Sequence, residues 1–201
     1  MVLLLQAAPA NWLTMAVEIE KKYRLTRRQR DAVLRRLPEI GAELQREEFE
    51  ENTLYTGAGL DVGTTVLRLR RVGDQAWLTY KKRFPGTAEI KRQREEETQI
   101  TDAEAMNAIL EAVGLRPGLV YEKRRQTWSL GESEIVIDEL PFGLFMEIEG
   151  SKKSIVSAER KIGIEGLEAE HSTYPQLTKK YGKQNGKLIE ARFKPSQIVS
   201  N

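Results

Sequence analysis

Residues 17–25 read Val17-Glu18-Ile19-Glu20-Lys21-Lys22-Tyr23-Arg24-Leu25. Glu18, Glu20 and Lys22 stand two apart, and side chains two apart on a β-strand share one face of the sheet. With Ile19 between the two glutamates, the segment reads as a strand that is charged on one side and apolar on the other. The arrangement returns along the chain. Glu147/Glu149 enclose Ile148, Arg68/Arg70 alternate with Leu67 and Leu69, and Lys81/Arg83 follow Leu78 and Tyr80. Arg92/Arg94 and Lys123/Arg125 are two further basic pairs. Strands of this kind have one packed side and one wet side.

Outward from the first strand, Thr26 caps an Arg-rich helix with Val33, Leu34 and Leu37 on one side, ended by Pro38 and Gly41. Residues 49–55, 65–71 and 76–82 read as strands, the last two joined by a tight turn over 72–75. Pro85-Gly86 marks another turn before a strand over about 89–100. Thr101 to Glu104 forms a capping box for a helix carrying Met106, Ile109, Leu110 and Val113, stopped by Gly114. Three strands follow, over 119–127, 133–139 and 144–149. Ser151 caps a helix to about Ile162, and a last short helix follows residues 171–175. Eight strands at hairpin spacing with helices between them specify an α+β fold, one domain on a large antiparallel sheet that is expected to close.

Residues 1–14, MVLLLQAAPANWLT, have an apolar run but no basic n-region, and too few apolar residues for a signal peptide or a membrane span. Met15 immediately precedes the charged strand. The expectation is therefore a superfluous leader over 1–14 and a single domain over 15–201, cytoplasmic by default. The alternative is an ordered arm that packs residues 3–5 and Trp12 on the domain.

Among 201 residues, 32 Lys+Arg face 30 Asp+Glu, so the formal charge of +2 points to no bulk affinity for nucleic acid. The 40% hydrophobic share is enough for a sizeable core. With no Cys and one His, disulfides, thiol nucleophiles and multi-His metal sites are excluded. Any metal must then be held by oxygen ligands, which favours Mg²⁺, Mn²⁺ or Ca²⁺.

The charged rows have two readings. One is an antiparallel sheet with a solvated face, which suits any single pair. The other starts from the sorting of sign by strand: basic at 68–70, 81–83, 92–94 and 123–125, acidic at 18–20 and 147–149. Like charges on one face repel unless opposite charges or a ligand lie between them. A polyanion carrying a divalent cation meets that condition, and a closed sheet would surround it. Arg and Lys from several strands can clamp a triphosphate. Carboxylates in the same cavity are tolerated if a metal bridges them to the phosphates.

Competing motifs are weak. Gly57-x-Gly59 followed by Gly63 lacks dinucleotide-binding spacing, and there is no phosphate-binding GxxxxGK[ST] run. His171 reads as a turn residue, Trp77 and Trp128 as packing residues, and Arg27/Arg28/Arg30 with Arg35/Arg36 as a solvated helix face.

With Glu18-x-Glu20-x-Lys22 on a first strand, the sequence resembles the CYTH superfamily, the triphosphate tunnel metalloenzymes. Asn52-Thr53-Leu54-Tyr55 is similar to its second-strand segment, and Leu67-Arg68-Leu69-Arg70 to its RxR strand. Leu78-Thr79-Tyr80-Lys81 resembles the next strand with its inward Lys. Arg94-x-Glu96 and Lys123-x-Arg125 resemble the R-x-E and KxR strands. Asp138, the run from Gly143 to Glu149, and Ser172-Thr173-Tyr174-Pro175-Gln176-Leu177 resemble the late aspartate, the closing EIE strand and the SY-x-x-L segment. The likeness spans residues 17–182 in family order; it departs where Thr56 follows Tyr55 in place of Asp, and in the insert over 84–89.

The resemblance implies an eight-stranded antiparallel β-barrel, a tunnel, with helices packed on the outside, using Mg²⁺ or Mn²⁺ on a triphosphate-containing small molecule. By position, Lys22, Arg68, Arg70, Lys81, Arg94, Lys123 and Arg125 would hold the substrate. Glu18, Glu20, Asp138, Glu147 and Glu149 would hold metal, with Glu96 as an additional candidate, and Lys22, Lys81 and Tyr55 would act in catalysis. Inorganic triphosphate is the leading substrate. Adenylate cyclisation of the class IV type and thiamine triphosphate hydrolysis are the alternatives within the family. Outside it stands a non-catalytic polyphosphate-binding module, against which the carboxylates argue. Membrane is not an expected partner, nucleic acid is disfavoured, and the outer wall could host a homodimer.

Overall fold

The computed structural model describes residues 19–83 and 93–194. The leader, Glu18, the insert over 84–89 and Arg92 lie outside the described residues. The chain forms β1 (Ile19–Leu25), α1 (Arg27–Glu39), β2 (Glu43–Gly57), β3 (Thr65–Val72), β4 (Gln75–Arg83) and β5 (Gln93–Ile100). It continues as α2 (Ala103–Ala112), β6 (Leu115–Leu130), β7 (Ser133–Leu140), β8 (Gly143–Gly150), α3 (Lys152–Ile162) and α4 (Tyr174–Tyr181). A small hairpin, β9 (Lys183–Asn185) and β10 (Leu188–Ala191), follows.

Local signals account for most boundaries. Thr26 and Gln29 form a reciprocal capping box on α1, and Ser151 caps α3 by accepting from the Ser154 amide. Asp102, rather than Thr101, caps α2, by accepting from the Ala105 amide. The β3–β4 turn uses Gly73 at φ +55°, a conformation that costs glycine little.

The strands run β1-β8-β7-β6-β2-β3-β4-β5, antiparallel at every step. β6 is the spine: β2 pairs along nearly all of it, β7 takes its C-terminal half, and β10 joins its N-terminal half in parallel. The expected closed barrel is corrected to an open, curved sheet, because β1 and β5 remain its two ends among the described residues. Closure requires the first and last strands to pair. Here the free edge of β1 is instead met by residues 169–170, through a bridge from Tyr23 to Ala169 and a bond from the Glu170 amide to the Lys22 carbonyl.

One face of the sheet carries α1, α2 and α3. Under α1 and α3, the main core joins Tyr23 and Leu25 of β1, Ile135 and Ile137 of β7, and Met146 and Ile148 of β8 to Val33, Leu37, Ile155 and Ile162. Fully burying such side chains contributes about 1.5–3 kcal/mol each. Under α2, Leu110 packs on Tyr55, Leu69 and Ala76. The fourth helix is the exception to the outside placement: α4 lies on the charged face, with Tyr174 and Leu177 against Leu119, Tyr121, Leu140 and Phe145. Among the described residues no helix is long and apolar enough to cross a membrane.

Candidate active site on the charged face

Strand register brings the charged rows together. On β1 and β8, Lys22 pairs opposite Glu147 and Glu20 opposite Glu149. The Lys22 Nζ lies 3.0 Å from Glu147 Oε1 and 3.5 Å from Glu20 Oε1, and sits 4.3 Å from the centre of the Tyr174 ring. On β6, Arg125 grips Asp138 of β7 with two bonds, Nε to Oδ1 at 2.8 Å and Nη2 to Oδ2 at 2.6 Å. The same Nη2 donates to Glu147 Oε2 at 2.9 Å, and the Tyr174 hydroxyl donates to Asp138 Oδ2 at 2.7 Å. Lys123 lies 3.3 Å from Glu50 of β2 and 3.7 Å from Asp138.

The other half of the face is built by β3, β4 and β5. Glu97 of β5 lies 3.6 Å from Arg68 and 3.3 Å from Arg70, and accepts a 2.6 Å bond from the Thr79 hydroxyl. Arg68 Nη2 donates to Thr79 Oγ1 at 3.3 Å, and Lys81 is paired with Glu95 at 2.9 Å. The Arg70 guanidinium lies 5.0 Å from the centre of the Trp77 ring, so Trp77 belongs to the charged face rather than to the packed one.

The electrostatics differ sharply between carboxylates. Burial raises Glu149, and the negative charges of Glu20, Glu147 and Glu134 add to it, pushing its pKa up to about 7. Glu147 is also raised, by burial first and then by the charge of Asp138. Burial alone would raise Asp138 too, but Lys123, Arg125 and the bond from Tyr174 more than offset it and hold its pKa below the usual range. Glu50 follows the same logic: burial is outweighed by Lys123, Arg125 and the Asn52 amide. Burial pulls the Lys123 ammonium down despite its acidic partners.

These environments sort the carboxylates by what they can do. Asp138 and Glu50 are committed to internal cations. Glu20, Glu147 and Glu149 crowd one another on adjacent strands, and that repulsion is relieved when a cation sits between them. Among the described residues no three acidic groups converge as a finished metal cage. Their all-oxygen donor set nevertheless fits a hard divalent ion such as Mg²⁺ or Mn²⁺.

Of the residues singled out in the sequence, Glu20, Lys22, Arg68, Arg70, Lys81, Lys123, Arg125, Asp138, Glu147 and Glu149 meet on this face. Two do not. Lys81 pairs opposite Glu95, so odd-numbered positions of β5 point toward Arg68 and Arg70 and Arg94 takes the opposite face. There Arg94 pairs with Glu96 at 2.9 Å, both largely exposed, so neither Arg94 nor Glu96 joins the site. Tyr55 is buried under α2, where its hydroxyl donates to Asn107 Oδ1 at 2.6 Å; it is a packing residue of the helix-covered face.

Sequence reading missed Glu50, Asn52, Glu95, Glu97 and Tyr174 as members of this face. The signal was available for four of them: Glu50/Asn52 and Glu95/Glu97 are themselves rows two apart. They also revise the sorting of sign by strand, because Glu95 and Glu97 place two acids beside the basic row.

A family model described as the CYTH domain matches residues 16–174. No curated protein matches the chain. Among solved structures, the PH1012 protein from Pyrococcus horikoshii OT3 superposes with a TM-score of 0.67 at 23% identity, over 80% of this chain and 98% of that one. A Vibrio parahaemolyticus protein named for adenylate cyclase gives 0.65 at 23% identity, over 78% and 94%. HpAC1 from Hippeastrum, described with a dominant triphosphatase activity, gives 0.61 at 18% identity, over 78% and 92%. These likenesses establish a shared fold.

Proposed function

The chain belongs to the CYTH domain family, and from that premise we propose that it is a metal-dependent triphosphate phosphohydrolase acting first on inorganic triphosphate. The observation that carries the reading is the pairing, on one face, of a multi-strand set of cations with a carboxylate cluster in which burial first, and acidic neighbours next, raise Glu149 to about 7. An anion receptor gains nothing from such a cluster, whereas a metal–triphosphate complex needs both halves.

In this reading Arg68, Arg70 and Lys81 bind phosphoryl oxygens from one side, and Lys22, Lys123 and Arg125 from the other. Glu97 and Glu95 hold the first set in place between turnovers and give way to phosphate oxygens. Glu20, Glu147 and Glu149, with Glu18, hold Mg²⁺ or Mn²⁺, and the ion supplies Lewis-acid polarisation of the phosphoryl oxygens. Asp138 fixes Arg125 and Lys123 rather than binding metal, since those cations and Tyr174 compensate its charge and lower its pKa, whereas that of Glu147 stays raised by burial and by Asp138 although Lys22 and Arg125 touch it. Lys22 and Lys81 stabilise charge on the leaving phosphate as the bridging bond breaks.

Orthophosphate release from triphosphate, ATP and thiamine triphosphate, each with Mg²⁺ and with Mn²⁺, tests the proposal. The expected result is fastest release from inorganic triphosphate and none in EDTA. Cyclic AMP as the main product from ATP, or tight triphosphate binding without turnover under either metal, overturns it.

A further inference from the structure

Asn52 of β2 is completely buried on the charged face, opposite Arg70 of β3 and Tyr121 of β6. Its amide orientation is fixed chemically. Nδ2 donates to Glu50 Oε2 at 3.1 Å, and Glu50 is an ionised acceptor clamped by Lys123 and Arg125. Oδ1 is therefore the half of the amide that Glu50 does not engage. Among the described residues Oδ1 has no donor, and neither Arg68 Nε nor Arg70 Nε has an acceptor. The two guanidinium groups are drawn instead toward Thr79 and Glu97. Neighbouring strands thus hold one open acceptor and two open donors. Buried polar groups are ordinarily satisfied, so open ones here await a ligand.

The chemistry of the partner follows from the mismatch. Phosphate oxygens accept hydrogen bonds; they satisfy the two Nε–H groups and repel Oδ1. The acceptor needs an O–H. We propose that Asn52 is a positioning residue whose Oδ1 accepts a hydrogen bond from the water that attacks the terminal phosphoryl group, an inference that rests on the triphosphatase reading above. Amide side chains orient attacking water in other phosphoryl-transfer sites. In the reaction the water oxygen bonds to the terminal phosphorus, and the bond from that phosphorus to the bridging oxygen breaks, its electron pair leaving with pyrophosphate. The two water hydrogens finish one on each product, as hydrogen phosphate and hydrogen pyrophosphate. Asn52 orients the water and takes no proton, because an amide carbonyl is too weak a base.

Two variants test this on inorganic triphosphate, which carries no alcohol and so isolates water as the nucleophile. Asn52→Leu keeps the shape and removes the acceptor; its kcat is expected to fall roughly 100-fold with KM nearly unchanged. Asn52→Asp keeps an acceptor oxygen and is expected to retain a kcat well above that of Asn52→Leu. The inference is overturned if folded Asn52→Leu turns over like the wild type, if its loss appears in KM, or if folded Asn52→Asp is as impaired as Asn52→Leu. Should Asn52→Leu fail to fold, Asn52→Asp decides alone: kcat within about tenfold of wild type supports the role, and a larger loss overturns it. A wild type inactive on triphosphate defeats the proposed function instead, and is read separately.

Discussion

Replacing Glu149 by Gln separates a metal-binding carboxylate cluster from an ordinary wet sheet face. The pKa of Glu149 is raised from 4.5 to about 7, by burial first and by Glu20, Glu147 and Glu134 next. The sign follows from proton counting. Between those two values the folded chain holds a proton that the unfolded chain has lost, so stability falls as pH rises through this window and stays reduced above it. At about 1.36 kcal/mol for each tenfold change in proton affinity, the full shift is worth about 3 kcal/mol. Water reaches the carboxylate and screens it, which brings the expectation to about 2 kcal/mol. Gln has no charge to lose. In EDTA at pH 8, Glu149→Gln should therefore melt about 4–8 °C above the wild type, a gap that closes toward pH 5. Adding Mn²⁺ should raise the wild-type melting temperature and leave the variant nearly unmoved. Thermal melts at four pH values, with and without metal, decide the matter. A variant that melts at or below the wild type at pH 8 in EDTA, or a gap independent of pH, refutes the reasoning.

Five further variants test the same picture. Glu147→Gln should lower turnover by orders of magnitude while triphosphate binding in EDTA, measured by calorimetry, holds or tightens, because one negative charge leaves the site. Arg68→Ala should weaken triphosphate binding about 10–100-fold with little change in melting temperature, since it deletes a charge-assisted contact beside solvent. Arg125→Ala should in addition unfold readily, losing about 3–5 kcal/mol in denaturant titration, because it strands the buried Asp138 and Glu50. Tyr55→Phe should keep kcat and cost about 1 kcal/mol of stability through its lost bond to Asn107, and Arg94→Ala should leave triphosphate affinity unchanged.

The cluster also explains why some buried charges are stable without a ligand and others are not. Asp138 has Arg125, Lys123 and Tyr174 around it, so its charge is compensated within the fold. Glu149 has three acidic neighbours, and Arg125 offsets them only in part. Two carboxylates one strand apart thus differ in readiness for an external cation, a difference that depends on neighbours contributed by four strands.

Alternation was enough to read β1, β3, β4, β7 and β8 from the sequence, because each has one row with an apolar centre to bury. Local cap chemistry at Thr26 and Ser151 likewise located α1 and α3. The N-terminal half of β2 was not legible: residues 43–47 are exposed and carry no apolar row, and they are strand only because β6 supplies a pairing edge. Nor could the sequence say which row of β5 faces the site. Arg92/Arg94 and Glu95/Glu97 are equally good rows two apart, and only the register Lys81 to Glu95 chooses between them. A one-residue difference in register exchanges the two faces of a strand. The same reason removed Tyr55 from the site and added Glu50. Side-chain periodicity was sufficient for one charged and one packed sheet face, with cations on β3, β4 and β6 and carboxylates on β1 and β8. Which charges meet, the seating of residues 169–170 at the β1 edge in place of a closing strand, and the position of α4 on the charged face were set by the folded chain. Those outcomes depend on pairing between distant segments, which short-range periodicity does not encode.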